Sequence, residues 1–226
     1  PDSLLLHNET EVMMPYNRII RSAGSVYRFG DSSQENHALD VAALPGGKQV
    51  VVEDRYGIFI LDLVQQKILE RWTYTDLPAY KDFLSTYSGI KVFTNGNKTF
   101  IVWSAAERDS EFSAVMIATW NGHLGDFADI RLMKQDPAPN ALPNDILVQQ
   151  EAGETFLYVV LNGNDQLAKI RWRDKKLIWQ TPTGMAPYGV TSANGKIYVT
   201  NWAGTRATDS LKERAGIPWG LVYTDP

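Results

Sequence analysis

The feature that most constrains the fold of this chain is a unit of short apolar strands and tight turns that occurs four times. The units begin near residues 37, 88, 143 and 187 of the 226 residues, at spacings of 51, 55 and 44. Four-stranded propeller blades recur every ~40–50 residues, so this period is typical of a β-propeller. A β-sandwich whose strands share this spacing by coincidence is the alternative interpretation.

Each unit has the same parts in the same order. A short strand leads into a turn such as Pro45-Gly46-Gly47 or Asn194-Gly195, whose residues tolerate the positive φ of a hairpin. The next strand is continuously apolar, as at 156–161, which indicates burial on both faces. The first three units continue with a third strand at 58–63, 114–120 or 166–172 and an amphipathic fourth strand at 67–72, 127–133 or 176–180.

These patterns predict an all-β fold in which residues 1–226 form a single β-propeller domain of four-stranded blades. Propellers have ~4–8 blades, and we expect about four to five in this chain. Residues 1–36 start no repeat and are expected to supply a closing strand of the last blade. The fourth unit lacks its third and fourth strands, so we expect an incomplete ring from a longer propeller, with open blade edges through which the chain self-associates.

A short motif points to a family. The fourth unit reads Tyr198-Val199-Thr200-Asn201 and is preceded by Pro187-Tyr188-Gly189-Val190, whereas the third unit reads Tyr158-Val159-Val160-Leu161-Asn162. With the blocks 35–57 and 185–210, the chain resembles the YVTN/YncE-like bacterial β-propellers. It is especially similar to the propeller portion of proteins that also carry an alkaline-phosphatase-superfamily phosphoesterase domain.

The resemblance implies a non-catalytic scaffold or binding module of the bacterial envelope, periplasmic or extracellular. Such a module binds a small molecule or protein partner, or it positions the linked phosphoesterase. The metal-binding Asp and His residues of the phosphoesterase have no counterpart in this chain.

Composition argues against several function classes. The sequence has no Cys and only three His, and no zinc-binding helix, P-loop, nucleophile elbow or dinucleotide fingerprint occurs, so we predict no catalytic residue, metal or cofactor. A net charge of −4 without a Lys/Arg cluster disfavours nucleic-acid binding. No apolar run approaches the ~20 residues of a membrane span, and the N-terminal residues lack a signal-peptide pattern.

A candidate ligand site follows from the repeat. In a propeller, the loops before the first strand and between the second and third strands lie on one face, where the channel opens. Polar and aromatic residues at these positions are expected to form a ligand site. They are His37, Glu53, Asp54, Arg55, Asn144, Asn162, Tyr188, Asn201 and Trp202. The alternative is that these side chains satisfy backbone groups at the sheet corners.

Two further hypotheses concern the same region. One is a propeller hydrolase or lactonase in which Glu53, Asn144, Asn162 or Asn201 holds a divalent metal. The other concerns loops, because loops on a rigid scaffold often carry recognition. Insertions at 76–87 and 105–112 lengthen the second unit, and loop residues Tyr80, Tyr87, Arg108 and Arg206 are therefore candidates for contact with a partner.

Overall fold

The computed structural model describes residues 12–14, 18–20, 24, 27, 29–30 and 33–204. An N-terminal hairpin pairs β1 (Val12–Met14) with β2 (Arg18–Ile20). Sheet 1 contains β3 (Ala38–Ala43), β4 (Gln49–Asp54), β5 (Gly57–Asp62) and β6 (Lys67–Thr73). Sheet 2 contains β7 (Phe83–Ser85), β8 (Lys91–Asn95), β9 (Lys98–Glu107), β10 (Phe112–Trp120) and β11 (Leu124–Met133). Sheet 3 contains β12 (Pro143–Glu151), β13 (Glu154–Leu161), β14 (Gln166–Arg171) and β15 (Lys176–Pro182), and sheet 4 contains β16 (Pro187–Ala193) and β17 (Lys196–Asn201).

Every pairing within these sheets is antiparallel and links strands that are close in sequence. Sheets 1 and 3 run in the orders β3-β4-β5-β6 and β12-β13-β14-β15. The prediction of an all-β fold built from four-stranded antiparallel sheets is confirmed. In the described residues, the helical segments are two 3₁₀ turns, Tyr74–Asp76 and Pro78–Tyr80, and none is a helix long and apolar enough to cross a membrane.

Sheet 2 differs from the prediction at both insertions. Residues 76–87 contain β7, which pairs with β9 through Ser85 opposite Ala105 and lies on the same edge of β9 as β8. Strands β7 and β8 are therefore two parts of one first strand, interrupted at 86–90. The second insertion is not a loop, because β9 continues to Glu107 and β10 begins at Phe112, so the residues lengthen the β9–β10 hairpin.

Consecutive sheets pack face to face through three apolar clusters. The 1–2 interface includes Val51, Ile58, Ile60 and Trp72 of sheet 1 and Ile101, Trp103 and Met116 of sheet 2. The 2–3 interface includes Val102, Val115 and Ile130 of sheet 2 and Ile146, Val159 and Ile170 of sheet 3. The 3–4 interface includes Phe156, Tyr158, Val160 and Leu167 of sheet 3 and Val190 of sheet 4. Neighbouring side chains on one central strand thus face opposite sheets, which explains the continuous apolar runs in the sequence.

The other face of sheet 1 contacts the N-terminal segment. Tyr27 and Phe29 pack against the buried Val52 and Leu61, and the Phe29 ring lies 4.9 Å from that of Phe59. Tyr27 and Phe29 therefore lie against the sheet-1 face that is not covered by sheet 2. The closing strand within residues 1–36 stays a prediction, because most of residues 1–32 lie outside the described part.

Candidate functional site

A cleft of about 570 Å³ lies where loops of the first three sheets meet. Sheet 1 contributes His37 and Arg55, sheet 2 contributes Thr86, Tyr87 and Arg108, and the connection to sheet 3 contributes Asn140 and Leu142. The backbone N–H of Arg55 donates to the carbonyl of His37 at 3.2 Å, which joins the loop before β3 to the β4–β5 turn. These are the two kinds of loop that the repeat assigns to one face. The volume is within the ~300–1,000 Å³ typical of small-molecule sites.

Glu35 orients the two basic residues that sheet 1 contributes to the cleft. Its carboxylate lies 3.1 Å from Arg55 Nη1 and 3.4 Å from His37 Nε2. All three side chains are partly exposed, so these contacts contribute little stability. They nevertheless favour conformations in which Arg55 and His37 stay at the cleft edge.

Three aromatic rings extend the cleft towards sheet 4. Trp202 is 54% exposed and stacks on Tyr188, with ring centroids 4.4 Å apart and 19° between the ring planes. Trp202 also lies 5.5 Å from Tyr87, which lines the cleft. Burial, followed by the influence of Tyr188, raises the pKa of the Tyr87 hydroxyl. A tyrosine is in any case neutral at physiological pH, so Tyr87 can pack against an uncharged ring.

Two of the predicted site residues, Asp54 and Asn162, bind backbone groups at the ends of strands. The carboxylate of Asp54 accepts from the backbone N–H groups of His37 at 2.8 Å and Tyr56 at 3.1 Å. The side-chain amide of Asn162 donates to the Pro187 carbonyl at 3.0 Å and so links sheet 3 to sheet 4. The polar atoms of both side chains thus bind backbone groups, and neither residue belongs to the described lining of the cleft.

Glu53, Asn144 and Asn201 do not belong to the described lining of the cleft either. Glu53 and Asn144 are fully buried. Among the described residues, neither carboxylate oxygen of Glu53, neither polar side-chain atom of Asn144, and not the side-chain oxygen of Asn201 has a hydrogen-bond partner. Burial raises the pKa of Glu53 well above its ordinary value, Asp40 raises it further, and Lys91 opposes the shift.

Two of the residues proposed to hold a divalent metal, Glu53 and Asn162, do not lie together. In the described ranges, no cluster of three or more His, Cys, Asp and Glu side chains could hold a metal ion. Glu53 and Asn162, two of the proposed ligands, lie at different sheet junctions, because Glu53 is close to Asp40 and Lys91 whereas Asn162 binds Pro187.

Two aspartates that the sequence analysis did not select join neighbouring sheets. Asp40 Oδ1 accepts from the N–H of Val41, and Oδ2 accepts from Gly89 and Ile90 of sheet 2 at 3.1 and 3.3 Å. Asp145 is equivalent, since its Oδ1 accepts from Ile146 and its Oδ2 accepts from Val190 of sheet 4 at 3.0 Å. We call these two contacts the aspartate clamps. They fix the first strands of successive sheets and thereby the loops around the cleft.

Gly89 allows the close approach of the sheets at this point. Its φ is +124°, and a Cβ atom there would lie 2.2 Å from the carbonyl oxygen of Asn144. A side chain at residue 89 would therefore separate sheet 2 from sheet 3 at the cleft floor.

The loop candidates divide into three outcomes. Tyr87 and Arg108 line the cleft, and their contact with a partner stays a prediction. Tyr80 is buried and its hydroxyl donates to Asp129 Oδ1 at 2.9 Å, so the prediction of a partner contact at Tyr80 is wrong. Its ring completes the edge of the 1–2 interface instead. Arg206 lies outside the described residues.

Comparisons with known proteins identify structures with a similar fold, but they do not indicate a function. No protein-family model matches the sequence, and neither does any curated protein. Solved structures with a similar fold include a protein of unknown function from Bacteroides caccae, at a TM-score of 0.52 and 11% identity over 87% of this chain and 63% of that one. A functionally unknown protein from Desulfotomaculum acetoxidans has a TM-score of 0.52 and 14% identity over 88% of this chain and 55% of that one. Hydrazine synthase from Kuenenia stuttgartiensis has a TM-score of 0.50 and 12% identity over 86% of this chain and 65% of that one. The chain thus spans 55 to 65% of the length of these structures.

Proposed function

We propose that this chain is the larger part of a β-propeller that acts as a non-catalytic binding module and takes its ligand in the cleft above the aspartate clamps. The observation that carries the proposal is the cleft itself, about 570 Å³ in volume and lined by loops of sheets 1, 2 and 3. Tyr87 connects the cleft to Tyr188 and Trp202, which come from sheet 4. A rigid scaffold that brings loops of four successive sheets together is a common basis of recognition.

Two features of the packing support the arrangement of these sheets as propeller blades. Each described sheet packs on the next one in sequence order, and the free face of sheet 1 is covered by residues that precede it in the chain. In a ring the last blade packs on the first, and the proposal assigns the N-terminal residues to that last blade. The YVTN/YncE-like resemblance and the four-stranded units agree with it.

The ligand that suits the cleft is a small molecule with a flat or saturated ring. Aromatic side chains such as Tyr87 and Trp202 bind rings by stacking, and His37, Arg55 and Asn140 supply hydrogen-bonding groups at the edge. Sugars, aromatic carboxylates and nucleosides share these properties.

Isothermal titration with glucose, benzoate and adenosine tests the proposal. At least one probe is expected to bind the wild-type protein, and Tyr87→Ala is expected to abolish that binding. Tyr198→Ala is the matched control, because Tyr198 is an exposed tyrosine on β17 that does not line the cleft. If no probe binds, or if both variants lose binding equally, the cleft is not the ligand site.

The envelope location and the linked phosphoesterase rest on the resemblance alone. We propose that the parent protein is periplasmic or extracellular and that the propeller positions its phosphoesterase domain. Fractionation of source cells with an antibody to this chain tests the location, and recovery in the cytoplasmic fraction would contradict it.

A further inference from the structure

Among the arginines whose side chains the structure describes, two have no acidic partner. Arg55, Arg131, Arg171 and Arg173 each lie within 2.5 to 3.1 Å of a carboxylate oxygen. The side chains of Arg71 and Arg108 make no ion pair or hydrogen bond with any residue in the part of the chain that the structure describes.

Both unpaired guanidinium groups line the same small cavity. This cavity has a volume of about 160 Å³ and lies where the ends of sheets 1 and 2 meet. Arg71 comes from β6, Arg108 from the β9–β10 turn, and Lys81, a third cation, from the segment before β7. The only carboxylate near Lys81 among the described residues is that of Asp82, at 4.0 Å, and both side chains are exposed, so this pair neutralises little charge. Three cations from three separate segments therefore face one cavity.

The rest of the lining consists mostly of groups that can donate hydrogen bonds. Thr73 and Thr75 present hydroxyl groups, and Gln34 and Asn36 present amides. Among the described residues of the lining, Asp54 is the only acidic one. Its two carboxylate oxygens already accept from the backbone N–H groups of His37 and Tyr56, which hold the carboxylate in place.

We propose that this cavity is a binding site for a phosphate group, either as inorganic phosphate or as the phosphate of a small organic ester. Guanidinium groups bind tetrahedral oxyanions through paired N–H donors, and such charge-assisted bonds are stronger than neutral ones. An anion also removes the mutual repulsion of Arg71, Lys81 and Arg108. The site is separate from the ring-binding cleft, although Leu84 and Arg108 line both cavities.

Titration of the protein with inorganic phosphate at low ionic strength, followed by phosphorus NMR or calorimetry, tests the proposal. Melting temperature alone does not suffice, since phosphate stabilises many proteins by exclusion from their surfaces. We expect saturable binding that Arg71→Gln and Arg108→Gln each weaken about tenfold, the loss of one charge-assisted hydrogen bond. Both side chains are exposed, so neither substitution should unfold the protein.

Arg173→Gln is the control, because Arg173 is exposed and paired with Glu154 on another part of the surface. Absence of saturable binding, or equal weakening in all three variants, would overturn the proposal.

Phenyl phosphate distinguishes the two sources of the anion. If it binds more tightly than phosphate and Tyr87→Ala removes only the difference, the natural ligand is an ester whose ring enters the cleft; equal affinities indicate the free anion. Arg71 lines only the small cavity and Tyr87 only the cleft, so the two sites can fail independently.

Discussion

The 1–2 and 3–4 interfaces are built from the same strand order, yet they differ in how completely the sheets cover each other. In the 1–2 interface, Trp72 of β6 stacks on Phe127 of β11 at 4.6 Å, so the fourth strands of both sheets are in contact. In the 3–4 interface, the two described strands of sheet 4 face only part of sheet 3. Trp179 on β15 consequently remains 38% exposed. The repeat supplies the strands, but the width of the neighbouring sheet determines how much apolar surface each strand buries.

The largest effect is expected from removing an aromatic ring of the 1–2 interface. Trp103 is fully buried, and its Nε1–H donates to the Tyr74 hydroxyl at 2.9 Å. Trp103→Ala should lower the free energy of unfolding by about 3–5 kcal/mol, whereas Trp179→Ala should cost less than about 1 kcal/mol. Urea denaturation measures both, and equal losses would show that the 3–4 interface is as well packed as the 1–2 interface.

Substitutions in the aspartate clamps should lower the free energy of unfolding by similar amounts at the junction of sheets 1 and 2 and at that of sheets 3 and 4. Asp40→Ala leaves the N–H groups of Gly89 and Ile90 without their acceptor, and Asp145→Ala does the same to Val190. We expect each alanine variant to lower the free energy of unfolding by about 1–3 kcal/mol. The asparagine variants keep one acceptor oxygen and should lose less. If Asp145→Ala lowers the free energy of unfolding less than Asp145→Asn does, the hydrogen bond from Val190 to Asp145 does not stabilise the fold.

Glu53 and Glu151 should respond to pH in opposite directions. Burial raises the pKa of Glu53, so its contribution to stability is complete below about pH 4.3, the ordinary value of an unfolded glutamate, and falls as the pH rises towards its folded pKa. Glu53→Gln cannot ionise, and its stability relative to wild type should therefore increase with pH. The gain near pH 7 should exceed the ~0.5 kcal/mol typical of surface substitutions.

Glu151 is the matched carboxylate near sheet 4. Burial raises its pKa, but hydrogen bonds from Lys169 and Tyr158 outweigh burial and hold the pKa below its ordinary value. Its stabilisation is present above about pH 4.3 and is lost as the pH falls through the lowered folded pKa. Glu151→Gln should therefore be less stable than wild type at neutral pH and approach it in acid. Urea denaturation of both variants and the wild type across this pH range measures how each difference in the free energy of unfolding changes with pH. If the two differences change in the same direction, the contrast between Glu53 and Glu151 is wrong.

The smallest change in stability is expected at the surface of sheet 4. Tyr198 on β17 is half exposed, and the predicted self-association uses open strand edges. Tyr198→Lys should change the free energy of unfolding by less than about 0.5 kcal/mol but reduce the mass measured by light scattering. If light scattering shows that the wild-type chain is already monomeric, the prediction of self-association through the β17 edge is wrong.

The strands could be predicted because turn and core signals coincide. Asn194-Gly195 separates β16 from β17, and the apolar run at 156–161 falls within β13, whose bounds are Glu154–Leu161. The short strand β7 was missed because its three residues are separated from β8 by residues 86–90. A strand this short has too few alternating positions to give a periodic signal.

The cleft could be predicted only in part. The repeat places His37 and Arg55 on the correct loops, but it does not say that Glu53 and Asn144 turn inward one or two residues away from loop positions. Arg71 gave no signal, because a lone arginine on an amphipathic strand looks like any solvated residue. That it has no acidic partner among the described residues becomes visible only when distances between sheets are known.

The aspartate clamps also bear on how the chain is assembled during synthesis. Each clamp joins an early carboxylate to amide donors that follow 45 to 50 residues later. Asp40 binds Gly89 and Ile90, directly before β8, and Asp145 binds Val190 in β16. As a nascent chain emerges, Asp40 can bind its donors before sheet 3 exists, and Asp145 can bind its own once β16 appears. Domains synthesised from the N-terminus commonly fold in that order, and repeat proteins propagate structure between neighbours. The clamps therefore favour vectorial folding, in which each unit is secured by the next one to leave the ribosome.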